Sequence, residues 1–132
     1  MDISVIISTE SLDDSERSPE TTAGSQGGAV VTFRGVVRAN EEGRPIQALD
    51  YQAYLPMAEK EIRLLAEELG RQFPCLAVSV RHRIGLVPVG DTAIVVQVVT
   101  AHRAEAFGFV SAFMDRLKAD VPIWKVRAVP AR

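Results

Sequence analysis

The stretch from residue 92 to residue 118, TAIVVQVVTAHRAEAFGFVSAFMDRLK, places a strand directly before a helix. Its first nine residues are mostly β-branched or apolar, which is typical of a strand. From Arg103 onward apolar residues recur at helical spacing, until Pro122 ends the pattern because proline disfavours helix in the residue before it. We therefore predict a strand at 92–100 and a helix at about 103–118. The predicted apolar stripe of that helix is Phe107, Val110, Met114 and Leu117.

The flanking segments complete an α+β pattern. Another helix is predicted after Pro56, which suits a first helical turn because the N–H that proline lacks would be unpaired there. The apolar stripe of this helix is Ile62, Leu65, Leu69 and Phe73. Further strands are predicted at 3–8, 29–38, 46–54, 76–84 and 121–129, with a turn at 40–45 that pairs 29–38 and 46–54 as a hairpin, and a loop at 85–91. The expected fold class is α+β, a single-domain α/β sandwich with antiparallel hairpins and two main helices.

Length and composition fit one domain, residues 1–132. The chain has 132 residues, of which 47% are hydrophobic and 24% charged, as in an average globular domain. Residues 10–27 are polar and rich in Ser, Thr and Gly, so we expect a mobile surface loop there. The first residues lack the basic start of a signal peptide, and no apolar run approaches the roughly 20 residues of a membrane span. We expect a soluble, cytoplasmic protein with no membrane association.

The sequence lacks the motifs that several common classes of enzyme and binding site require. The sequence contains no G-x-S-x-G, Walker or G-x-G-x-x-G motif, so nucleotide binding and serine hydrolysis are unsupported. The one cysteine, Cys75, has apolar neighbours and is predicted to be a buried structural thiol. No Cys/His cluster has the spacing of a zinc site, so we expect no metal and no cofactor. The formal net charge is −2, which disfavours nucleic-acid binding. RNA binding is the weakest hypothesis, because no stacking aromatic residues interleave with its candidates Arg34, Arg38, Arg81 and Arg83.

Cations in apolar contexts are the remaining candidates for function. Arg38 ends a predicted strand, and His102 and Arg103 stand where a strand meets a helix. The first turn of a helix has unpaired N–H groups and a partial positive charge, so this junction could seat a phosphate. The alternative is that His102 only caps the helix and Arg103 is only solvated.

Two lysines follow farther along the chain. Lys118 closes the second helix, where a cation also simply complements the helix dipole. Lys125 lies in the last strand, where alternation places Ile123, Lys125 and Arg127 on one face and Trp124, Val126 and Ala128 on the other. We expect the tryptophan to enter the core, so that Lys125 faces a cleft or solvent; a snorkelling lysine is the alternative.

These segments together resemble the large, catalytic subunit of molybdopterin synthase. The likeness extends in order over about 100 residues, and its most specific part is the AHR motif at 101–103 followed by VPIWK at 121–125. The other matching stretches are GAVVTFRGVVR (28–38), LDYQAY (49–54), MAEK (57–60), HRIG (82–85), GD (90–91), AHRAEAF (101–107) and LK (117–118).

The resemblance implies a sulfurtransferase. Members of the family convert cyclic pyranopterin monophosphate (precursor Z) into molybdopterin by installing two sulfurs as a dithiolene. The sulfur arrives as a thiocarboxylate on the C-terminal Gly-Gly tail of a small ubiquitin-like partner subunit, so no nucleophilic cysteine is needed. By motif position, Lys118 and Lys125 would be the catalytic pair. The substrate-binding residues would be Arg38, His102 and Arg103, with Val36, Val37, Val126 and Arg127 beside them.

The distance between Arg103 and Lys118 along the second helix bears on whether the protein forms a dimer. Arg103 and Lys118 are separated by roughly 22 Å at 1.5 Å per residue, too far to touch one phosphate from the same chain. Either these residues belong to two separate sites, or two copies of the protein complete one pocket. The resemblance favours a homodimer in which His102 and Arg103 reach the lysines of the partner subunit, forming a composite site. The alternative function is a non-catalytic, dimeric phosphate- or pterin-binding paralogue.

Overall fold

The computed structural model of the chain describes residues 1–12 and 26–132. The elements in chain order are β1 (Asp2–Ser8), β2 (Ala29–Val36), β3 (Asn40–Glu41), β4 (Arg44–Ala53), α1 (Met57–Gln72), β5 (Ala77–Arg83), β6 (Gly85–Pro88), β7 (Thr92–Thr100), α2 (Arg103–Asp120) and β8 (Ile123–Pro130). The α+β class and both predicted helices are confirmed. The short strands β3 and β6 are additional, and β6 replaces part of the predicted loop at 85–91. Most of the loop predicted at 10–27 falls on residues 13–25, outside the described residues.

The first sheet carries the main core. Its strand order is β1-β5-β7-β2, with β1 parallel to β5 and the other neighbours antiparallel. Side chains alternate along a strand, so the even-numbered residues of β5 and β7 share the face that packs on both helices. The largest fully buried side chains of this core are Phe109, Phe113, Ile62, Val78, Val80, Val96 and Val98.

The stripe predicted for α2 is partly wrong. Phe107 is 60% exposed, whereas Phe109 and Phe113 are fully buried and stack with their ring centroids 5.7 Å apart. Val110 and Leu117 are buried as predicted. The apolar residues of α2 extend almost all the way round the helix, so spacing alone did not identify which of them faces the sheet.

Truncating Phe109 to alanine is expected to lower the free energy of unfolding by about 3–5 kcal/mol, because it leaves a cavity in a core that does not reach solvent. Urea unfolding followed by circular dichroism measures this change. Leu64→Ala is the control: Leu64 is 48% exposed on α1, and its truncation should cost no more than about 0.5 kcal/mol. Equal costs for the two variants would contradict the assignment of the core.

The second sheet has β4 at its centre. β4 pairs antiparallel with β6 and with β8, and β3 folds back on its first residues. Glu42 and Gly43 have φ values of 51° and 79°, the left-handed conformation that a two-residue hairpin turn requires. The hairpin predicted between 29–38 and 46–54 is therefore wrong: the turn joins β3 to β4, while β2 pairs with β7 in the other sheet.

The last strand also departs from the predicted alternation. In β8, Arg127 lies opposite Asp50 and Lys125 lies opposite Tyr51, so Val126 is an extra residue in a β-bulge. The bulge turns Lys125 and Arg127 to opposite faces, which corrects the prediction that they share one. Trp124 is 46% exposed and does not enter the core, because β8 is an edge strand with most of its residues exposed.

In the part of the chain that the structure describes, neither helix is both long enough and apolar enough to cross a bilayer.

Candidate active site

A cavity of about 570 Å³ opens where the two sheets meet the C-terminal end of α2. Aliphatic and aromatic side chains form most of its walls, among them Phe33, Ile94 and Leu117. Its lining residues with charged side chains are Arg38, Glu41, Lys118 and Lys125. A site with apolar walls and several cations suits a ligand that has both a flat organic body and negative charge.

Five of the residues expected at a site from the sequence line this cavity. They are Val36, Val37, Arg38, Lys118 and Lys125. Arg38 follows β2, and backbone bonds from Val37 N to Asp91 O (3.0 Å) and from Gly90 N to Val37 O (2.9 Å) hold this segment in place. Lys118 is in the last turn of α2, and the chain returns through β8, where Lys125 lines the same cavity.

His102 and Arg103 do not line the cavity. They stand at the N-terminus of α2, about 27 Å of helix away from its other end. His102 occupies the N-cap position, yet its side chain makes no capping hydrogen bond; Thr100 Oγ1 instead donates to the His102 carbonyl at 2.5 Å. Both side chains are exposed.

Val126 and Arg127 are also outside the cavity lining. The bulge in β8 places Arg127 on the other face of the sheet, where its Nε lies 3.6 Å from Asp50 Oδ2. This pair is largely solvated on the arginine side, with 60% of that side chain exposed, and such pairs add little to stability.

Glu41 brings a carboxylate to the cationic wall. Its Oε2 accepts a hydrogen bond from Lys125 Nζ at 2.8 Å. The Glu41 side chain is 22% exposed and that of Lys125 is 49% exposed, so the pair lies partly inside the cavity. Sequence reasoning missed Glu41 because it lies in a polar segment that was interpreted only as a turn.

Tyr51 and His82 add neutral hydrogen-bonding groups to the cavity. Val78, Val80 and His82 follow one another on the inward face of β5, and the last of them reaches the cavity. The rings of Tyr51 and His82 meet edge to face with centroids 5.3 Å apart. Burial raises the pKa of Tyr51; the nearby Lys125 charge lowers it and Glu41 raises it. The HRIG motif contained His82, but nothing in the sequence pointed to a role for it.

The environment of His82 fixes its tautomer. Its Nδ1 lies 2.8 Å from the carbonyl oxygen of Arg83, and since a carbonyl only accepts, Nδ1 carries the proton. Burial lowers the pKa of His82, and the hydrogen bond to Arg83 opposes this shift only in part. The imidazole is therefore neutral at pH 7, which leaves Nε2 as an acceptor.

The lowered pKa of His82 makes stability depend on pH. Between its folded-state pKa and the ordinary value of 6.5 the unfolded chain binds more protons, so this contribution is complete above about pH 6.5 and is lost as the pH falls. We expect the wild-type Tm to decrease between pH 7 and pH 5, and His82→Asn to decrease less over that range, as measured by thermal unfolding. His102→Asn, at the exposed second histidine, should keep the wild-type slope. A steeper or unchanged slope in His82→Asn would contradict this assignment.

The single cysteine is not placed for chemistry. Cys75 was predicted to be buried, but it is only half-buried, and it does not line the cavity. Burial, with a smaller contribution from the charge of Glu105, raises the pKa of its thiol to about 11, so it is protonated at neutral pH. In the described residues there is also no cluster of His, Cys, Asp and Glu that could hold a metal ion.

Comparison with known proteins identifies the family. The family model described as MoaE protein matches residues 7–120. The human molybdopterin synthase catalytic subunit is 46% identical over 98 residues, covering 74% of this chain and 52% of the human one. The subunit of the same name from Staphylococcus carnosus is 39% identical over 110 residues, covering 83% of this chain and 73% of that one. The chain thus spans about half the length of the human relative.

A solved structure agrees with the sequence matches. The X-ray structure of molybdopterin synthase from Staphylococcus aureus superposes with a TM-score of 0.84 at 34% identity, covering 97% of this chain and 90% of that one. A Burkholderia multivorans structure described as molybdopterin cofactor biosynthesis protein E gives a TM-score of 0.80 at 36% identity, with the same coverage. The resemblance predicted from the sequence is confirmed, and the chain belongs to the MoaE protein family.

Proposed function

We propose that this chain is the catalytic subunit of a molybdopterin synthase, a sulfurtransferase. It would convert cyclic pyranopterin monophosphate into molybdopterin, in the cytoplasm, using sulfur from the thiocarboxylated C-terminus of a small ubiquitin-like partner subunit. The observation that carries the proposal is that Arg38, far from the two lysines in the sequence, lines one cavity together with Lys118 and Lys125 in a member of this family.

The chemistry assigns a task to each of these groups. A thiocarboxylate is an anion, and the ammonium groups of Lys118 and Lys125 can pair with it and direct its sulfur toward the pterin. They can also stabilise negative charge that develops on substrate oxygen, or donate a proton there. Val36 and Val37 supply apolar contact beside Arg38. Because the incoming sulfur is itself the nucleophile, the protonated Cys75 thiol has no part in the reaction.

The phosphate of the substrate needs a further anion site. His102, Arg103 and the N-terminus of α2 would provide one, since a helix start favours anions. They are too far from Lys118 to act in the same chain, so we propose a homodimer in which they complete the cavity of the partner subunit. Val126 and Arg127 lie outside the cavity. We therefore propose only that they contact the part of a ligand that extends beyond Lys125.

Reconstitution tests the proposal. The purified chain is mixed with precursor Z and a thiocarboxylated small subunit, and formation of the dithiolene is followed by conversion of the product to a fluorescent derivative. We expect turnover that requires both additions. Binding of precursor Z without any dithiolene would instead favour the non-catalytic phosphate- or pterin-binding paralogue.

A further inference from the structure

Glu41 contacts Lys125 in the way that the carboxylate or thiocarboxylate of a ligand would. One of its oxygens accepts a charge-assisted hydrogen bond from the ammonium at 2.8 Å, inside a cavity whose other charged lining groups are the cations Arg38 and Lys118. The carboxylate comes from this chain's own β3–β4 hairpin, so the protein carries an internal carboxylate at one of its proposed anion-binding groups.

We propose that Glu41 competes for Lys125 with the C-terminal carboxylate or thiocarboxylate of an incoming peptide. This competition would set how tightly the cavity holds the C-terminus of the peptide. The inference rests on the proposed function, because it takes the ligand to be the C-terminal tail of a protein partner. It assigns Glu41 as a residue that determines affinity for this ligand.

The geometry allows Glu41 to leave Lys125 without disturbing the core. β3 has only two residues, Asn40 and Glu41, and they pair with the start of β4 at the tip of a hairpin. Glu41 is not among the residues buried in either apolar cluster. Turning its side chain away from the cavity therefore breaks its ion pair with Lys125 and removes no member of either apolar cluster.

Charge repulsion explains why the two carboxyl groups compete. The ammonium of Lys125 has three N–H donors and could in principle bind two carboxylates side by side. Two like charges within a few ångströms repel each other strongly in a partly desolvated cavity. Neutralising Glu41 should therefore favour an anionic ligand, while Arg38 and Lys118 keep the cavity positive.

A peptide-binding experiment tests the inference with Glu41→Gln and the matched control Glu42→Gln. Glu42 is the next residue, is exposed and does not line the cavity. The probe is a fluorescent ten-residue peptide that ends in Gly-Gly with a free carboxylate, and its Kd is measured by fluorescence anisotropy. We expect Glu41→Gln to lower the Kd about five-fold and Glu42→Gln to leave it at the wild-type value. The same peptide with an amidated end should not distinguish the three proteins.

The outcomes separate the inference from the function on which it rests. If the peptide binds all three proteins equally, or binds Glu41→Gln more weakly, the competition is refuted and the proposed function stands. If it binds none of them, the proposed sulfur donor fails and the inference fails with it.

Lysine acylation gives a second measurement that needs no ligand. Mass spectrometry would follow the modification of Lys125 and of Lys60, which is exposed on α1. Glu41→Gln replaces the carboxylate that accepts the Lys125 hydrogen bond with a neutral amide, which holds the ammonium less strongly. This should accelerate acylation of Lys125 and leave the rate at Lys60 unchanged. Equal rates at Lys125 in all three proteins would overturn the inference, because Glu41 would then not engage Lys125 in solution.

Discussion

Lys118→Ala is expected to lower kcat for dithiolene formation by about 10²- to 10³-fold, the usual cost of removing one group that stabilises charge in a transition state. Lys118 lies in the last turn of α2 and lines the cavity together with Lys125. Its side chain is exposed at the cavity rather than packed in the core, so the variant should fold. Reconstituted turnover with a thiocarboxylated partner measures the effect.

Two further variants separate catalysis from a role in helix stability. If Lys118 only complements the dipole of α2, Lys118→Ala would lose about 0.3–1 kcal/mol of stability and keep its kcat, and Lys118→Arg would restore the stability. The catalytic role predicts that Lys118→Arg keeps the stability and remains slow, because a guanidinium neither gives up a proton readily nor matches the ammonium geometry. Lys60→Ala, at the one lysine outside the cavity, should retain wild-type kcat.

The helices and the buried strands were predictable because their signals are local. The β-branched run at 92–100 forms the predicted strand, β7, and every residue of it except Gln97 is buried. The stripe of α1 was also correct at Ile62, Leu65 and Leu69, since polar residues leave only one face of that helix available to the core. α2 has apolar residues on several sides, and its stripe was accordingly misplaced at Phe107.

Strand pairing and side-chain direction were not predictable from the same signals. A turn at 40–45 suggested that the strands on either side pair, but the chain crosses to a second sheet before it turns. In β8 the alternation rule failed at Val126, because one extra residue in a bulge reverses the face of every residue after it. Both features depend on which strands are neighbours in space.

The cationic part of the candidate site was evident from the sequence because its cations interrupt apolar segments. Arg38 and Lys125 stand out next to valine and tryptophan, whereas Glu41 is one of several polar residues in a turn. His82 looks like an ordinary member of a strand until its position at the cavity end of β5 is known. Glu41 and His82 are identified as site residues by their contacts in the folded chain, such as the Glu41–Lys125 pair, and not by their neighbours in the sequence.

The proposed composite site predicts how mixtures of inactive variants behave. His102 and Arg103 lie at one end of α2 and Lys118 at the other, so a cavity that needs all three must combine two chains. In a homodimer of Lys118→Ala, or of the double variant His102→Ala/Arg103→Ala, both cavities are incomplete. In a mixed dimer of the two, one cavity carries both defects and the other carries none.

We therefore expect each variant alone to be nearly inactive and their mixture to recover about a quarter of wild-type turnover, since random exchange makes half of the dimers mixed and each of these has one intact cavity. Differently tagged chains, dissociated and reassociated before the assay, allow mixed dimers to be counted by native mass spectrometry. A mixture of Lys118→Ala with Lys125→Ala is the matched control, because both lysines line the same chain's cavity and mixing cannot reunite them. Mixed dimers that form without any recovery of turnover would show that the α2 N-terminus and the lysines do not build one site.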